Sequence, residues 1–210
     1  MTAGPATGVA LLSGGLDSGV AGGAFGDGGG PQLASRGFDS GQGAAALARR
    51  LGGAFHVIAL PWLAACAATA GSALLAGGGD LPHGTAARPG DAASAARVWV
   101  PARNAVFVAI AAAHAEALGA GCVIAGFNRE EAATFPDNSA AFLAAASAFL
   151  ALGTRSGVAV VSPTLDLDKA AIVARARALG FAAGDFWSCY DGGPTPCGRC
   201  ESCLRSRWQR

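Results

Sequence analysis

The chain has 210 residues, of which 52% are hydrophobic and 14% are charged, and its formal net charge is +1 at pH 7. This length suits one α/β domain with a substantial core. The near-neutral charge lacks the basic excess of a surface that binds nucleic acid or an anionic membrane, so we expect no direct nucleic acid partner. The uncharged run 51–79 is interrupted by Pro61 and is rich in Ala and Gly, which argues against a membrane span. The N-terminus lacks the pattern of a signal peptide, and we expect a cytoplasmic protein.

The first strong signal is a buried-strand pattern that runs into a glycine-rich turn. Residues 8–12 predict a parallel strand, and the motif Ser13-Gly14-Gly15-Leu16-Asp17-Ser18 follows directly. A helix is predicted to start with Asp17 or Ser18 as its N-cap and to end near Phe25. Glycines let a backbone approach a phosphate, and the N–H groups of a first helical turn attract an anion. We interpret the motif as a nucleotide phosphate loop, although not of the Walker type, because it has no lysine; the alternative is an ordinary glycine-rich turn.

Strand and helix patterns then alternate along the chain. Further strands are predicted at 32–38, 54–60, 121–126 and 158–161, and further helices at 44–51, up to about 118, 138–152 and 169–179. Pro101 fits the first turn of the helix that ends near 118, and Asp168 fits the N-cap of the last helix. The helix at 138–152 is predicted to bury one face, formed by Phe142, Leu143, Ala146, Phe149 and Leu150.

This alternation predicts an α/β fold with a doubly wound parallel sheet of five strands. Ligands of such sheets bind at the carboxyl ends of the strands, where the phosphate loop, Asn128 and Pro163 are all placed. The segment 64–99 is rich in turn signals and is predicted to be a long loop, in which His83 is given no functional role.

Four cysteines near the C-terminus have the spacing C-x7-C-x2-C-x2-C: Cys189, Cys197, Cys200 and Cys203. Four thiolates with two-residue spacers suit a closed tetrahedral site of the kind that structural zinc prefers. Disulfides are disfavoured in a reducing cytoplasm, and an iron–sulfur cluster is the other alternative. We therefore predict a zinc-binding segment at 187–210, after a nucleotide-binding domain at 1–186. Cys66 and Cys122 have apolar surroundings and are interpreted as buried filler residues.

The phosphate-loop motif resembles that of the ATP-pyrophosphatase superfamily, and its combination with the cysteine cluster resembles the QueC family of queuosine and archaeosine precursor biosynthesis. Further segments resemble that family: Val100-Pro101-Ala102-Arg103-Asn104, Gly126-Phe127-Asn128-Arg129-Glu130-Glu131, Phe135-Pro136-Asp137-Asn138, Pro163-Thr164-Leu165-Asp166-Leu167-Asp168-Lys169-Ala170 and Trp187-Ser188-Cys189-Tyr190. The chain departs from the family pattern after the second strand, where Ser40 replaces an aromatic residue and Gly43-Ala44 replaces a basic pair. The resemblance implies an adenine nucleotide alpha hydrolase-like fold.

The resemblance also implies a reaction: conversion of 7-carboxy-7-deazaguanine and ammonia into the 7-cyano compound, through an adenylated carboxylate and an amide, with consumption of ATP. ATP, with Mg²⁺ nearby, is expected to contact Leu12, Ser13, Gly14, Gly15, Leu16, Asp17, Ser18 and Gly126. The residues expected to act in catalysis are Asp17, Ser18, Arg103 and Lys169. Those expected to bind the deazaguanine are Asn104, Asn128, Glu131, Phe135, Pro136, Asp137 and Asn138.

Several alternatives remain at this point. The near-neutral charge and the cysteine cluster disfavour other pyrophosphate-loop enzymes, such as a tRNA thiolase, a lysidine synthase or an amidotransferase. A related enzyme that joins a deazaguanine to a macromolecule stays open, as does a nucleotide-binding zinc module without catalysis. The expected partners are small molecules, namely ATP, ammonium and the deazaguanine acid, and the exposed apolar content leaves room for a homodimer.

Overall fold

The computed structural model describes residues 8–26, 34–37, 43–75, 80–88, 90–193 and 195–205. The strands are β1 (Gly8–Leu12), β2 (Ala34–Gly37), β3 (Ala54–Val57), β4 (Cys122–Ile124) and β5 (Ala159–Val161). The helices are α1 (Leu16–Gly26), α2 (Ala44–Arg50), α3 (Pro61–Thr69), α4 (Ala92–Arg97), α5 (Arg103–Ala117), α6 (Arg129–Ala132), α7 (Ala140–Gly153), α8 (Lys169–Ala178) and α9 (Glu201–Arg205). Short 3-10 turns occupy Gly84–Ala86, Pro136–Asn138 and Ala183–Asp185.

The strands form one parallel sheet in the order β3-β2-β1-β4-β5. β1 is central, and its Val9 pairs with Ala34 of β2 on one side and with Val123 of β4 on the other. The direction of winding reverses between β1 and β4, and the carboxyl ends of these two strands are the place where such a sheet binds its ligands. The α/β fold with a parallel sheet is therefore confirmed.

Helices cover both faces of the sheet because the side chains of each strand alternate between two cores. Leu12 of β1 joins Leu47 of α2 and Ile172 of α8 in one core. Val9, three residues earlier, joins α5 and α7 in the other. Four of the predicted apolar residues of α7 contact this second core, but Phe149 is 62% exposed, so its predicted burial is wrong.

Several local predictions are also wrong. The first helical hydrogen bond of α1 runs from Gly19 N to Gly15 O (3.1 Å), so Asp17 and Ser18 lie inside the first turn and neither is the N-cap. Pro101 precedes α5, whose N-cap is Ala102 with a left-handed φ of 53°. Asn138 belongs to a 3-10 turn, and Ser139 caps α7 with its hydroxyl.

The predicted long loop at 64–99 contains helical structure: the end of α3, the 3-10 turn Gly84–Ala86 and α4. Alanine-rich segments such as α3 form helices readily, but the turn residues near them led to the prediction of a loop. Cys66 lies in α3 and is exposed, whereas Cys122 in β4 is buried as predicted. Ser40 lies outside the described residues. Of the helices in the described ranges, none combines the length and the apolar character that crossing a bilayer requires.

Candidate active site

The phosphate loop is a compact turn that hydroxyl groups hold between β1 and α1. Ser13 N donates to Ser18 Oγ (3.2 Å), and the two serine hydroxyls lie 3.1 Å apart. Ser18 Oγ in turn donates to Gly15 O (3.2 Å), and Gly14 has a left-handed φ of 79°. The loop thus lies at the amino end of an 11-residue helix, where backbone N–H groups and the helix dipole favour an anion.

Gly126 follows β4 and packs directly against the first turn of α1. A Cβ at this position would lie 2.6 Å from Ser18 N and 2.7 Å from Asp17 C, both of them backbone atoms. The end of β4 and the first turn of α1 can approach each other this closely only because residue 126 has no side chain. Gly126 therefore allows the end of β4 to support the backbone of the phosphate loop at Asp17 and Ser18.

A buried ion cluster lies beside the loop. Lys169, the first residue of α8, donates its ammonium to Asp17 Oδ2 and to Glu131 Oε1 (2.9 Å), and its side chain is only 7% exposed. The second carboxylate oxygen of Asp17, Oδ1, is buried without a hydrogen-bond partner in the described ranges. Two predicted catalytic residues, Asp17 and Lys169, thus meet a predicted substrate residue, Glu131. The cluster has one cation and two carboxylates, together with an unused acceptor atom.

Burial and mutual attraction shift the pKa values of all three groups. Burial raises the pKa of Asp17 to about 6, against the opposing effect of the Lys169 ammonium. Burial alone would raise the pKa of Glu131 as well, but the charges of Lys169, Arg205 and Arg103 hold the pKa of that carboxyl below its ordinary value. The pKa of Lys169 is raised, because Asp17 and Glu131 outweigh the effect of burial. Two carboxylates share one ammonium, so one of them is protonated more easily than the other. That carboxyl is Asp17, which takes up a proton below about pH 6.

We expect a pH dependence from Asp17. Below about pH 6 this carboxyl becomes neutral and loses its attraction for Lys169 or a bound cation. The rate of the ATP–pyrophosphate exchange that the family resemblance implies should therefore fall about tenfold per pH unit at saturating ATP. The exchange is measured with the deazaguanine acid that the resemblance implies and without ammonium, so that ammonium ionisation does not contribute. Circular dichroism at each pH checks that the fold is intact. A rate that stays flat down to pH 5 would contradict this assignment.

A second group of predicted residues forms a buried wall around Asp137. Asn104 N donates to Asp137 Oδ2 (3.4 Å), Asn104 Nδ2 donates to the backbone oxygen of Asp137 (3.2 Å), and Asn138 Nδ2 donates to Asp137 Oδ1 (3.2 Å). Burial raises the pKa of Asp137, although Arg103 and these donors act in the opposite direction. Arg103, at the start of α5, donates from Nε to Asn104 Oδ1 (3.3 Å), and its charge lowers the pKa of Glu131. Arg103 therefore links this wall to the ion cluster.

The other predicted site residues differ in what they leave accessible to a ligand. Leu12 and Leu16 have their side chains in the core, at 1% and 9% exposure, so only their backbone is available to a ligand. Asn128 is fully buried and caps α6, with its Oδ1 accepting from Glu131 N (3.0 Å). Pro136 is exposed at the start of its 3-10 turn, and Phe135 lies parallel to the ring of Trp99.

The four predicted metal ligands do come together. The sulfur atoms of Cys189, Cys197, Cys200 and Cys203 all lie within 4.8 Å of one another. Cys197 Sγ and Cys203 Sγ are 3.9 Å apart, which matches the separation of about 3.8 Å that a tetrahedral zinc with bonds of about 2.3 Å requires. Backbone N–H groups point at the sulfurs, as from Cys200 N to Cys197 Sγ (3.3 Å), and such donors stabilise thiolates. The donor set therefore fits zinc.

A backbone hydrogen bond connects the cysteine cluster to the phosphate loop. Trp187, two residues before Cys189, donates its N–H to Gly14 O (2.8 Å). The loop thus depends on the conformation of the C-terminal segment, a connection that no sequence motif indicates.

Two residues that contact the site or the cysteine cluster, His83 and Arg205, were given no role from the sequence. His83 Nε2 lies 2.9 Å from Asp191 Oδ1, and Gly84 N donates to Arg199 O (2.8 Å), so the segment around His83 packs on the cysteine cluster and does have partners. Arg205 is buried and donates twice to Glu201 Oε1, at 3.0 and 2.7 Å. Neither residue carries a local signal. Lys169, by contrast, was predicted, and it is the only lysine among the 15 Lys and Arg residues.

The family model described as "Queuosine biosynthesis protein QueC" matches residues 7–208. The chain belongs to the QueC family. This QueC family member is 45% identical over 208 residues to the 7-cyano-7-deazaguanine synthase of Desulforudis audaxviator, covering 94% of this chain and 93% of that protein. It is 44% identical over 209 residues to the protein of the same name from Pelotomaculum thermopropionicum (94% and 93% covered), and 40% identical over 211 residues to that of Methanothermobacter thermautotrophicus (95% and 91% covered).

Proposed function

We propose that this chain is a 7-cyano-7-deazaguanine synthase, which uses ATP to convert 7-carboxy-7-deazaguanine and ammonia into the nitrile. The observation that carries the proposal is the near full-length similarity, at 40–45% identity, to three proteins of that name. The geometry agrees with it, because a phosphate loop, a buried cation and a polar wall lie at the carboxyl ends of β1, β4 and β5.

The chemistry requires activation of a poor electrophile. An oxygen of the substrate carboxylate attacks the α-phosphorus of ATP, the bond to the β-phosphate oxygen breaks, and pyrophosphate leaves. Ammonia then attacks the acyl carbon and AMP leaves, which gives the amide. The amide oxygen then attacks the α-phosphorus of a second ATP and pyrophosphate leaves, after which loss of AMP and a proton gives the nitrile. The protein contributes mainly position and charge compensation to these steps.

In this proposal the ion cluster of Lys169, Asp17 and Glu131 compensates the charge of the ATP phosphates. The Lys169 ammonium stays protonated, since its pKa is raised, and it compensates negative charge as pyrophosphate departs. Asp17 Oδ1, which is buried and unpartnered in the part of the chain that the structure describes, is the oxygen best placed to hold Mg²⁺. Magnesium, when bound, would neutralise phosphate charge. The N–H groups of the loop and the Ser13 hydroxyl would hold the phosphates themselves.

The wall around Asp137 is proposed to bind the deazapurine by hydrogen bonds. A carboxylate has about four acceptor positions, and Asn104 and Asn138 use two of them. The remaining positions suit the amino and imino groups of a purine-like edge. Arg103, which links the wall to the ion cluster, suits the carboxylate of the same substrate. The contacts of Arg103 with the wall and its effect on Glu131 support one planar acid that reaches from the wall towards the phosphate loop.

Zinc is proposed to hold the C-terminal segment and not to react, because four thiolates leave no open position. We expect wild-type protein to contain about one zinc per chain and Cys200→Ser to contain much less. The same variant should raise the KM for ATP several-fold, because the bond from Trp187 N to Gly14 O depends on this segment. Elemental analysis and steady-state kinetics measure the two effects. Cys66→Ser, which changes a cysteine outside the cluster, is the control, and full zinc content in Cys200→Ser would refute the assignment.

The test of the function is mass spectrometry of the purified protein with ATP, Mg²⁺, ammonium and 7-carboxy-7-deazaguanine. Ammonium-dependent appearance of the 7-cyano compound is the expected result. A reaction that stops at the amide or at the adenylate would favour the enzyme that modifies a macromolecule. The absence of any ATP consumption would favour a nucleotide-binding module without catalysis.

A further inference from the structure

We propose that Trp99 is a positioning residue that holds the deazapurine ring by stacking, together with Phe135. Neither the metal site nor the phosphate loop requires Trp99, and no motif singled it out. The inference rests on the proposed function, because it states how the same site takes a planar substrate.

The Trp99 and Phe135 rings form a half-buried parallel pair. Their planes differ by 9° and their centroids are 6.3 Å apart. The pairs Phe127–Phe142 and Phe181–Phe186, which pack on the two cores, are inclined at 74° and 48°. Trp99 and Phe135 are both half-buried, so part of their flat surface is open to a ligand.

The position of this pair matches the needs of the substrate. Phe135 N donates to Glu131 O (2.8 Å), which places the ring one turn after the carboxylate that binds Lys169. Asn138 N donates to Phe135 O (3.0 Å), which places the Asp137 wall directly after it. We therefore place a molecule with its carboxylate towards the phosphate loop and its amino edge towards Asp137 beside Phe135. The part of it that still needs a contact is one face of its ring, because parallel rings with centroids 6.3 Å apart leave no room for a third ring between them.

The turn that follows Trp99 is strained. Ala102 has a φ of 53°, and among the described residues it is the one non-glycine with a positive φ. For an L-residue this conformation costs on the order of 1 kcal/mol, and such strain is concentrated at binding sites. Ala102 lies between Trp99 and Arg103, so the same turn sets the positions of the stacking residue and of the charged residue.

The test compares Trp99→Leu, which removes the ring, with Trp99→Phe, which keeps a flat ring. Trp62→Leu, at an exposed tryptophan of α3, is the matched control. Stacking of a base on an aromatic ring predicts a KM for 7-carboxy-7-deazaguanine about 10- to 100-fold higher in Trp99→Leu, with the KM for ATP within about twofold of wild type. Trp99→Phe should recover most of the loss, and Trp62→Leu should show none.

Tryptophan fluorescence supplies a second readout that does not depend on turnover. The 7-cyano product should quench the emission of wild-type protein, and this quenching should be lost in Trp99→Phe even though that variant still binds. Quenching that persists in Trp99→Phe, or equal rises in both KM values of Trp99→Leu, would overturn the proposal. If the wild-type protein neither turns over nor binds the acid, it is the proposed function that fails, and the role of Trp99 fails with it.

Discussion

Gly126→Ala is expected to lower kcat/KM for ATP on the order of 100-fold. The new Cβ would lie 2.6 Å from Ser18 N, so either the first turn of α1 or the end of β4 must move. Both partners are backbone, and a displacement of about 1 Å at a catalytic site costs on the order of 100-fold in rate. Overpacking should also lower the free energy of unfolding by about 1–3 kcal/mol. Steady-state kinetics and urea unfolding measure the two losses.

Gly121→Ala is the matched control for this prediction. Gly121 precedes β4 at its other end, has no positive φ, and would place a Cβ with no described atom within 4 Å. It should therefore change neither kcat/KM nor the free energy of unfolding by more than a small amount. Wild-type kinetics in Gly126→Ala would show that the phosphate loop does not depend on this contact.

Lys169→Met is expected to remove activity and to destabilise the protein by about 3–5 kcal/mol. The substitution keeps the length of the side chain but leaves Asp17 and Glu131 facing each other without the ammonium. Both carboxyls should then titrate at higher pH than in the wild type. Loss of the cation beside the phosphates should lower the rate of ATP–pyrophosphate exchange on the order of 100- to 1,000-fold.

A double variant separates stability from catalysis. Glu131→Gln combined with Lys169→Met removes one charge of each sign, so one buried carboxylate remains in place of two. It should recover a large part of the lost free energy of unfolding and none of the lost activity. Recovery of activity in the double variant would show that Lys169 serves the fold alone. If Lys169→Met leaves urea unfolding unchanged, the buried ion cluster is not as the structure has it.

Elements that depend on neighbouring residues in the chain could be predicted from the sequence. The strand 8–12, the phosphate loop after it and the cap at Asp168 each rest on neighbours in the chain, and the structure contains all three. Where the sequence analysis named the wrong N-cap for α1, the cause lies in the serine hydroxyls. Ser18 turns back to Ser13 and Gly15, and this lets the helix begin at Leu16.

Long-range contacts account for the remaining differences. The partners of His83 are more than 100 residues away, so no local pattern could assign them to it. Cys66 resembles a core residue in its apolar segment, yet α3 packs through Leu63 and Ala67 and leaves Cys66 exposed. Phe149 fits the apolar stripe of α7, but the second core ends at Leu150 on a neighbouring face.

The order of the elements, the phosphate loop and the grouping of the four cysteines can be predicted from the chain, because each depends on spacing within a short segment. The burial of Lys169 between Asp17 and Glu131, and the bond from Trp187 to Gly14 that connects the cysteine cluster to the phosphate loop, arise only when the chain folds. These contacts join residues that lie far apart in the chain. They exist because parallel strands bring their carboxyl ends to one edge of the sheet, and no periodicity along the chain encodes which loops meet there.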